Sequence, residues 1–429
     1  MKPFDKGFLV GASTAAHQVE GNNVHSDCWA LERIPHTAYA EPSGEAVDHY
    51  RRYEEDIKLL AGAGLNAYRF SIEWARIEPE EGKFDEAEVE HYRNMIRCCK
   101  ENGVEPMVTL HHFSSPAWLI TKGGWEWEGV ADCFQRYCRY VMERLGEELT
   151  YVCTINEANI RLQIAGIMKR YMLQAQQAAQ NPEAALQMGM NMKALMEQQQ
   201  LAAVEGAAAF GLADPQGVHV FQSPCTPEGD AIICRAHEAA RAAIREVCPQ
   251  VKVGLTLSFH DLQPQPGAED AAAREWDKEF RHYLPCIKGD DFLGVQNYTR
   301  SLLGPGGLLP TPEGAELTQA GYEYYPQGLE HVIRAAAADF KGELFVTENG
   351  IATADDTRRQ AFIRTALEGV QRCVADGIPV KGYFHWSLLD NFEWQKGYDM
   401  TFGLIAVDRS TQKRTVKPSL ELLGSYCPR

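Results

Sequence analysis

Short segments typical of buried β-strands alternate with longer segments of helical periodicity along the whole 429-residue chain. Eight such repeats are typical of an α/β fold in which parallel strands close into a (β/α)8 TIM barrel. A doubly wound open sheet is the alternative, but it would carry a glycine-rich phosphate turn after its first strand, and residues 11–15 lack one. The predicted strands are Gly7–Ala12, Ala67–Ile72, Glu105–His111, Tyr151–Asn156, Lys252–Leu257, Phe292–Tyr298, Leu344–Glu348 and Val380–Trp386.

Helical patterns fill the intervals between the predicted strands. No long linker or composition break divides the chain, so we expect a single domain over residues 1–429. The predicted helices are Ala46–Ala63, Asp85–Asn102, Val130–Leu145, a long stretch from Ile160 to Phe210, Ala231–Val247, Ala268–Tyr283, Pro326–Ala338 and Thr357–Asp376.

Composition narrows the class of protein. A formal net charge of −17 argues against nucleic acid or an anionic membrane as a partner. The N-terminus lacks an apolar signal core and no run of 18 apolar residues exists, so we expect a cytoplasmic protein. The twelve cysteines include no Cys-x-x-Cys pair, and no His-Glu-x-x-His motif or acidic calcium loop is present. We therefore expect reduced thiols, no metal and no cofactor.

Two glutamates end strand-like segments and each lies beside an asparagine. Glu157 follows Asn156, and Glu348 precedes Asn349, 191 residues later (348 − 157). In a parallel barrel both would lie at the carboxyl end of the strands, where catalytic residues gather. Two converging carboxyl groups suit glycosidic bond cleavage, since one protonates the leaving group while the other attacks the carbon it leaves.

Other predicted strand ends are also rich in polar and aromatic residues. A random set of strand ends would not be this polar, which favours a binding cavity on that face of the barrel. The residues at or near these ends are Gln18, Arg69, His111, His112, Gln296, Tyr298 and Trp386.

Several sequence blocks, in order, resemble glycoside hydrolase family 1, the β-glucosidase-like family. The resemblance covers nearly the whole chain and implies a (β/α)8 barrel, in agreement with the strand count. The blocks are Phe8–Gly21, Ala67–Ile72, Gly123–Trp125, the two glutamate motifs, Gly382–Trp394, Gly397–Tyr398 and Phe402–Leu404.

The resemblance implies a retaining mechanism with Glu157 as acid/base and Glu348 as nucleophile. Tyr298 would hydrogen-bond the nucleophile, and Arg69 would keep it ionised, because a nearby cation lowers the pKa of a carboxyl group. Glu157 must hold a proton while Glu348 is charged, and this negative neighbour raises the pKa of Glu157. Retention requires the two carboxyl groups to lie about 5–5.5 Å apart.

The resemblance also implies a set of sugar-binding residues. Asn156 is expected to bind the 2-hydroxyl, a contact that tightens in the transition state. Trp386 is expected to form a platform under the sugar ring. The other expected substrate-binding residues are Gln18, His112, Phe113, Gln296, Glu393, Trp394 and Phe402.

Three positions near the expected site depart from the family pattern. Ala158 stands where proline is usual, which restores a backbone N–H and frees φ, so the loop after Glu157 is expected to differ. Phe113 replaces the usual tryptophan and removes an indole donor, and Gln296 replaces asparagine. These changes bear on sugar preference more than on catalysis.

The segment from Ile160 to Phe210 departs most, being rich in Ala, Gln and Met. Its composition predicts two helices broken near Asn181-Pro182. One interpretation is ordinary barrel helices with a Met-filled core. The other is an adaptable apolar wall on the leaving-group side, since methionine packs against varied shapes. Its methionines are Met168, Met172, Met188, Met190, Met192 and Met196.

The expected activity is that of a retaining exo-β-glycosidase, a β-glucosidase that hydrolyses terminal non-reducing β-D-glucosyl residues of small β-glucosides or short oligosaccharides by double displacement. One alternative is a 6-phospho-β-glycosidase, although an anionic Glu393 would repel a phosphate and Lys396 lies beyond Trp394. Another is a non-catalytic sugar-binding pseudoenzyme, although such relatives lose a carboxylate and both are present. Oligomeric state, aglycone and the choice among glucose, galactose, fucose and xylose stay open.

Overall fold

Eight parallel strands form a closed barrel in the computed structural model, which describes residues 2–166, 168 and 192–428. The first barrel strand pairs with both the second and the last, so the sheet has no free edge. The predicted (β/α)8 fold is confirmed, and no predicted strand bound differs from the structure by more than two residues. The barrel strands are β1 (Leu9–Ser13), β2 (Ala67–Ser71), β3 (Glu105–His111), β4 (Tyr151–Ile155), β5 (Lys252–Ser258), β6 (Phe292–Gln296), β7 (Glu343–Asn349) and β8 (Val380–Trp386).

Helices surround the barrel between successive strands. The longer ones are His49–Gly62, Glu86–Glu101, Val130–Leu145, Met192–Ala209, Pro227–Val247, Glu269–Glu279, Gly328–Asp339, Asp356–Ala375 and Pro418–Gly424, and backbone 160–166 is also helical. Shorter helices are Ala16–Val19, Asp27–Leu31, Trp74–Ile77, Ala117–Ile120 and Leu284–Ile287. Single 3-10 turns occur at Gly124–Glu126, Gly146–Glu148, Arg281–Tyr283 and Trp394–Lys396.

Two small sheets lie outside the barrel, and the sequence patterns did not predict them. Their strands are two to five residues long and partly exposed, so they lack the buried apolar character on which the strand prediction rested. One sheet pairs Asp261–Pro264, Arg300–Gly304 and Gly307–Leu308, and the other pairs Ile405–Asp408 with Lys413–Val416.

A layer of apolar side chains fills the barrel interior below the functional end. Its members come from strands on opposite sides of the barrel and are fully buried, so they can touch only across the interior. Because side chains alternate along a strand, the residue two positions further on also points inward. Arg69 lies two positions after Ala67, so its side chain also points inward, above the layer. Trp386 points inward above the layer for the same reason, two positions after Phe384. The layer consists of Ala67, Met107, Cys153, Phe292, Phe345 and Phe384.

The atypical stretch predicted as two helices is only partly described. Its second half contains the helix Met192–Ala209, and Met168 is 45% exposed. The helix contacts the short helix Asp27–Leu31, which follows β1. The predicted break at Asn181-Pro182 and the residues Met172, Met188 and Met190 lie outside the described residues.

Candidate active site

Glu348 lies in β7 at an irregularity in the sheet. The pairing of β7 with β6 shifts register between Val346 and Glu348, and the pairing with β8 shifts between Val346 and Asn349. Bulges of this kind turn a side chain away from the regular alternation and are common beside active sites. The side chain of Glu348 is thereby directed among Arg69 and Tyr298, and Glu348 is only 3% exposed.

Two donors hold the carboxyl group of Glu348. Nη1 of Arg69 lies 2.8 Å from Oε1, and the hydroxyl of Tyr298 donates to Oε2 at 2.7 Å. Burial raises the pKa of Glu348 above its ordinary value, although Arg69 and Tyr298 both act to lower it. Arg69 thus acts in the expected direction, as a cation that lowers the pKa of a carboxyl group, but desolvation outweighs it in the net shift. The two donors nevertheless stabilise negative charge on this carboxyl group.

Glu157 directly follows β4 and has a contrasting environment. Its backbone N–H donates to Oγ1 of Thr256 at 3.1 Å, and the residue is 8% exposed. Burial and then the charge of Glu348 raise the pKa of Glu157 to about 8, although Arg69 and a hydrogen bond with Ser258 lower it. Burial and the charge of Glu348 thus favour a proton on Glu157, whereas Arg69 and Tyr298 favour negative charge on Glu348.

The side-chain amide of Asn156 is fixed by donors from three strands. Its Oδ1 accepts from Nη2 of Arg69 at 2.6 Å, from Nε2 of Gln296 at 2.8 Å and from Oγ1 of Thr256 at 3.3 Å. Its Nδ2 consequently faces Nε2 of His112 at 3.2 Å. Burial, helped by Arg69, lowers the pKa of His112 well below its ordinary value, so the imidazole is neutral. Its Nε2 accepts from Asn156, which leaves the proton on Nδ1.

Gln18 joins the segment after β1 to the segment after β8. Its Nε2 donates to the carbonyl oxygen of Phe392 at 2.6 Å and to Oε2 of Glu393 at 3.1 Å. Burial and then the charge of Glu348 raise the pKa of Glu393 to about 8, while hydrogen bonds with Gln18 and Trp386 lower it. The pocket thus holds a third carboxyl group that is mostly protonated at neutral pH.

Several buried polar atoms in this cluster have no hydrogen-bond partner. Among them are Oε1 of Gln18, Nδ1 of His112 and Oε1 of Gln296. Buried polar atoms are nearly always paired, so unpaired ones grouped in a pocket indicate a polar ligand. Sugar hydroxyl groups both donate and accept, and they suit such a mixed set.

Aromatic rings pack around the polar cluster. Trp386 is 3% exposed, packs in a cluster with Phe402, and stacks on the ring of His112 with centroids 5.6 Å apart. The rings of Phe113 and Trp394 lie 5.3 Å apart. The expected aromatic residues are therefore brought together around His112.

Three residues of this cluster have a left-handed backbone. The φ angles are 69° at Phe113, 44° at Glu157 and 44° at Trp394. Such angles are unfavourable for residues with a Cβ, by about 1–3 kcal/mol each, and tend to occur at functional sites. The fold therefore imposes on these side chains directions that an unstrained backbone would not give.

Ala158 gains a hydrogen bond that a proline could not make. Its N–H donates to the carbonyl oxygen of Thr256 at 3.1 Å, and the residue is fully buried. The adjacent Asn159 is fixed as well, since its Nδ2 donates to the carbonyl oxygens of Ser258 at 2.6 Å and of Glu279 at 2.9 Å. The loop after Glu157 is thus hydrogen-bonded to backbone carbonyl groups of β5.

Thr256, Ser258 and Tyr322 belong to the cluster but were not predicted. Polar residues at alternate positions of β5 were a signal for the first two, whereas Tyr322 lies in a loop, where no strand-end rule applies. The ring of Tyr322 lies 6.4 Å from that of Tyr298 and is 45% exposed. Burial, with the charges of Glu393 and Glu157, raises the pKa of Tyr322 to about 12. Tyr322 therefore interacts electrostatically with both carboxyl groups.

Two kinds of feature are absent from residues 2–166, 168 and 192–428. No group of three or more His, Cys, Asp or Glu is placed to hold a metal ion. In the same part of the chain, no helix has the length and apolar character needed to cross a membrane.

Comparisons with known proteins agree with this geometry. The family model for glycosyl hydrolase family 1 matches residues 1–193 and 310–426. The β-glycosidase BGL167 has a TM-score of 0.88 and 45% identity, covering 100% of this chain and 99% of its own. A β-glucosidase of Agrobacterium sp. is 30% identical over 97% of this chain and 93% of its length. An aryl-phospho-β-D-glucosidase of Bacillus subtilis is 27% identical over 99% of this chain and 96% of its own length. The chain belongs to glycosyl hydrolase family 1, and it is a glycoside hydrolase of the β-glycosidase type.

Proposed function

We propose that this protein is a retaining exo-β-glycosidase that acts as a β-glucosidase, releasing terminal non-reducing β-D-glucosyl residues by double displacement. The observation that carries this proposal is the unequal environment of two carboxyl groups. Glu348 accepts hydrogen bonds from Arg69 and Tyr298, whereas burial and the charge of Glu348 raise the pKa of Glu157 to about 8. One group suits nucleophilic attack and the other suits proton donation.

In the first step, an oxygen of Glu348 attacks the anomeric carbon while Glu157 donates its proton to the glycosidic oxygen. The bond to the leaving group breaks, and an ester joins the sugar to Glu348. Arg69 binds the attacking carboxylate of Glu348 through Nη1 and Asn156 through Nη2. The nucleophile and Asn156, which would bind the 2-hydroxyl of the sugar, therefore keep fixed positions relative to each other. This arrangement lowers the barrier through positioning.

In the second step, the ester has removed the negative charge of Glu348. The pKa of Glu157 then falls, because the charge of Glu348, which together with burial raised it, is gone. Ionised Glu157 takes a proton from water as the water oxygen attacks the anomeric carbon, and the ester bond breaks. Two inversions give a product with the configuration of the substrate.

The polar groups of the pocket would recognise a single terminal sugar. Gln18 and Glu393 connect the segments after β1 and β8, which closes the pocket at that end and supports exo action. Neutral His112 carries an unpaired Nδ1–H for a hydroxyl group, and Trp386 offers an aromatic face. Tyr322 would border the leaving group at the exposed rim. The β-glucosidase described among the relatives supports glucose as the glycone.

A 6-phospho-β-glycosidase activity is the second candidate, because one relative is described as an aryl-phospho-β-D-glucosidase. Protonation of Glu393 at neutral pH weakens the electrostatic repulsion expected between this residue and a sugar phosphate. A phosphate would still need a cationic partner. Arg69 already binds Glu348 and Asn156, and Lys396 is exposed. These contacts favour the unphosphorylated sugar.

The test uses p-nitrophenyl β-D-glucoside and its 6-phosphate with the wild-type enzyme and Glu348→Ala. We expect the wild type to prefer the plain glucoside and to release β-glucose first, as followed by proton NMR. Glu348→Ala should be inactive, and azide should partly restore nitrophenol release and give the α-glycosyl azide. Initial release of α-glucose, preference for the phosphorylated substrate, or no rescue by small nucleophiles would each contradict the proposal.

A further inference from the structure

A buried amide side chain directly follows the carboxyl group proposed as the nucleophile. Asn349 is the last residue of β7 and is 1% exposed. Its Nδ2 donates to the carbonyl oxygen of Asn297, just after β6, at 2.7 Å. Its Oδ1 accepts from the hydroxyl of Tyr383, in β8, at 2.9 Å. One side chain therefore connects the end of β7 to the strands on both sides of it.

The two partners fix the orientation of this amide. A carbonyl oxygen can only accept, so Nδ2 must face Asn297, and the hydroxyl of Tyr383 must then donate to Oδ1. The other contacts of this hydroxyl are longer, at 3.4 Å to Nδ1 of His385 and 3.5 Å to the carbonyl oxygen of Asn349. Turning the amide over would leave buried groups unpaired on both sides, which is unfavourable.

The bond to Asn297 closes a ring that includes the nucleophile. The carbonyl group of Asn297 belongs to the peptide bond that leads into Tyr298, and the hydroxyl of Tyr298 donates to Oε2 of Glu348 at 2.7 Å. The N–H of Asn297 donates to the carbonyl oxygen of Glu348 at 3.2 Å. Asn297 is thus bonded by the backbone of Glu348 and by the side chain of Asn349. Both bonds hold Tyr298 at a fixed position relative to Glu348.

This amide lies where β7 loses its regular pairing. Register shifts fall between Val346 and Glu348 on the side of β6, and between Val346 and Asn349 on the side of β8. An irregularity of this kind disrupts the ladder of backbone hydrogen bonds, and the amide supplies bonds to both neighbouring strands there. The chain also passes β8 closely, since a Cβ on Gly350 would lie 1.9 Å from the carbonyl oxygen of Trp386. The end of β7 is therefore fixed on both sides.

We propose that Asn349 is a positioning residue for nucleophilic attack. Through the peptide bond that precedes Tyr298, it sets the distance between the hydroxyl of Tyr298 and the carboxyl group of Glu348. Tyr383 holds the amide in the orientation that this role requires. The inference rests on the proposed role of Glu348 as the nucleophile. A misplacement of about 1 Å in a catalytic constellation can lower a rate by about 100-fold, so the contact is sensitive to its support.

The test compares Asn349→Ala and Tyr383→Phe with the wild-type enzyme, by Tm and by steady-state kinetics on p-nitrophenyl β-D-glucoside. Asn349→Ala should lower kcat/KM by about 10–100-fold. Tyr383→Phe keeps the packed ring and loses only the hydroxyl, so it should give a smaller loss in the same direction. The inhibition constant of glucose should not change in either variant, because it reports sugar binding and not attack.

Asn66→Ala is the matched control. This asparagine also bonds neighbouring backbone through both amide atoms, since Nδ2 donates to the carbonyl oxygen of Phe8 at 3.0 Å and Oδ1 accepts from the N–H of Val10 at 2.7 Å. It directly precedes β2, at the end of the barrel opposite the carboxyl groups. Its substitution should lower Tm and leave kcat/KM at the wild-type value.

A double-mutant cycle distinguishes positioning from a general loss of stability. Tyr298→Phe removes the hydroxyl through which Asn349 acts. Adding Asn349→Ala to Tyr298→Phe should therefore lower kcat/KM much less than the same substitution does in the wild-type enzyme. Equal losses in the two backgrounds would overturn the proposal. Wild-type kinetics of Asn349→Ala, or a glucose inhibition constant that weakens in parallel with the rate, would overturn it as well.

The role of Glu348 is tested separately by azide rescue of Glu348→Ala, which does not involve Asn349. Rescue, together with equal losses in the double-mutant cycle, would refute the positioning role and leave the proposed function intact. Absence of rescue would overturn both proposals, whatever the kinetics of the Asn349 variants. The two failures are therefore distinguishable.

Discussion

The guanidinium of Arg69 lies 2.8 Å from the carboxylate of Glu348, and both side chains are buried. The same guanidinium donates to Asn156 at 2.6 Å through its other terminal nitrogen. Breaking a buried pair leaves a desolvated charge, which is strongly unfavourable. Arg69 therefore both stabilises the charged carboxylate and fixes its position relative to Asn156.

Arg69→Lys should lower kcat by at least about 100-fold, the size of effect seen when a positioned donor is removed from a catalytic site. Lysine keeps the charge but is a point donor on a flexible stem, so it cannot hold Glu348 and Asn156 in the planar, two-nitrogen geometry. The acid limb of the kcat/KM profile should also move to higher pH, because Glu348 loses part of the interaction that lowers its pKa.

Arg359→Lys provides the matched control, since Arg359 is equally buried but bonds Asp356 and the carbonyl oxygen of Thr401 instead. It should reduce Tm without moving the pH profile. Equal kinetic effects of the two substitutions would mean that Arg69 acts through stability alone.

The pH dependence of kcat/KM should be bell-shaped. Glu157 must be protonated, and its pKa of about 8 means that activity falls as pH rises through about 8. Glu348 must be ionised, so activity falls as pH drops through its own raised pKa. Glu393 has the same pKa of about 8, but Glu393→Gln should keep the basic limb if Glu157 is the acid. The pH profiles of kcat/KM with nitrophenyl glucosides distinguish Glu157 from Glu393 as the acid. Loss of the basic limb in Glu393→Gln would assign that limb to Glu393.

Glu157→Gln should stabilise the folded protein at high pH. The folded-state pKa of Glu157 is raised to about 8, above its unfolded value of about 4.3. Its contribution to stability is fully present below the unfolded pKa and is lost as pH rises through the folded pKa. Glutamine stays neutral, so the variant should gain several degrees in Tm over wild type at pH 9 and little at pH 4. Glu101→Gln, at an exposed position, should show no such pH-dependent difference.

The barrel could be predicted because its strands are short, apolar and almost fully buried, which leaves a clear pattern. The predicted site residues are also brought together, since strand ends in a parallel barrel meet at one face. Bond partners could not be predicted in this way. The contacts of Thr256 with Glu157 and Asn156 depend on the register between β4 and β5, which no local pattern encodes.

The net pKa shift of Glu348 could not be predicted because it is a balance of opposing effects. The sequence identified the cation, Arg69, but gave no measure of the desolvation that outweighs it. No sequence pattern predicted the left-handed backbone at Phe113, Glu157 and Trp394. Strain at such positions is imposed by surrounding tertiary structure, against the local preference of the residues.

Gln296→Asn restores the residue usual in the family and should lower kcat/KM by about 2–10-fold. Shortening the side chain by one methylene withdraws its amide from Oδ1 of Asn156, now 2.8 Å away, and one net hydrogen bond of about 0.5–1.5 kcal/mol is lost. Gln296→Glu is the informative comparison, because it keeps the length but presents acceptors to Asn156. Steady-state kinetics should rank wild type above Gln296→Asn and Gln296→Asn above Gln296→Glu. Equal activity of wild type and Gln296→Asn would show that this hydrogen bond does not support Asn156.

Ala158→Pro should impair this enzyme even though proline is usual at the position. Proline has no N–H, so the carbonyl oxygen of Thr256 would lose the donor now 3.1 Å away, at a cost of about 1–3 kcal/mol for a buried group. Proline also restricts the residue before it to extended conformations, and Glu157 has φ of 44°. We therefore expect lower Tm and lower kcat.

Ala158→Gly separates these two effects of proline. It retains the N–H and leaves Glu157 unrestricted, so kcat should stay near the wild-type value while Tm falls slightly through the added freedom of the unfolded chain. Differential scanning calorimetry and steady-state kinetics on both variants supply the measurements. If Ala158→Pro were as active and as stable as wild type, the loop would tolerate the usual family conformation. The bond between Ala158 and Thr256 would then be incidental to the placement of Glu157.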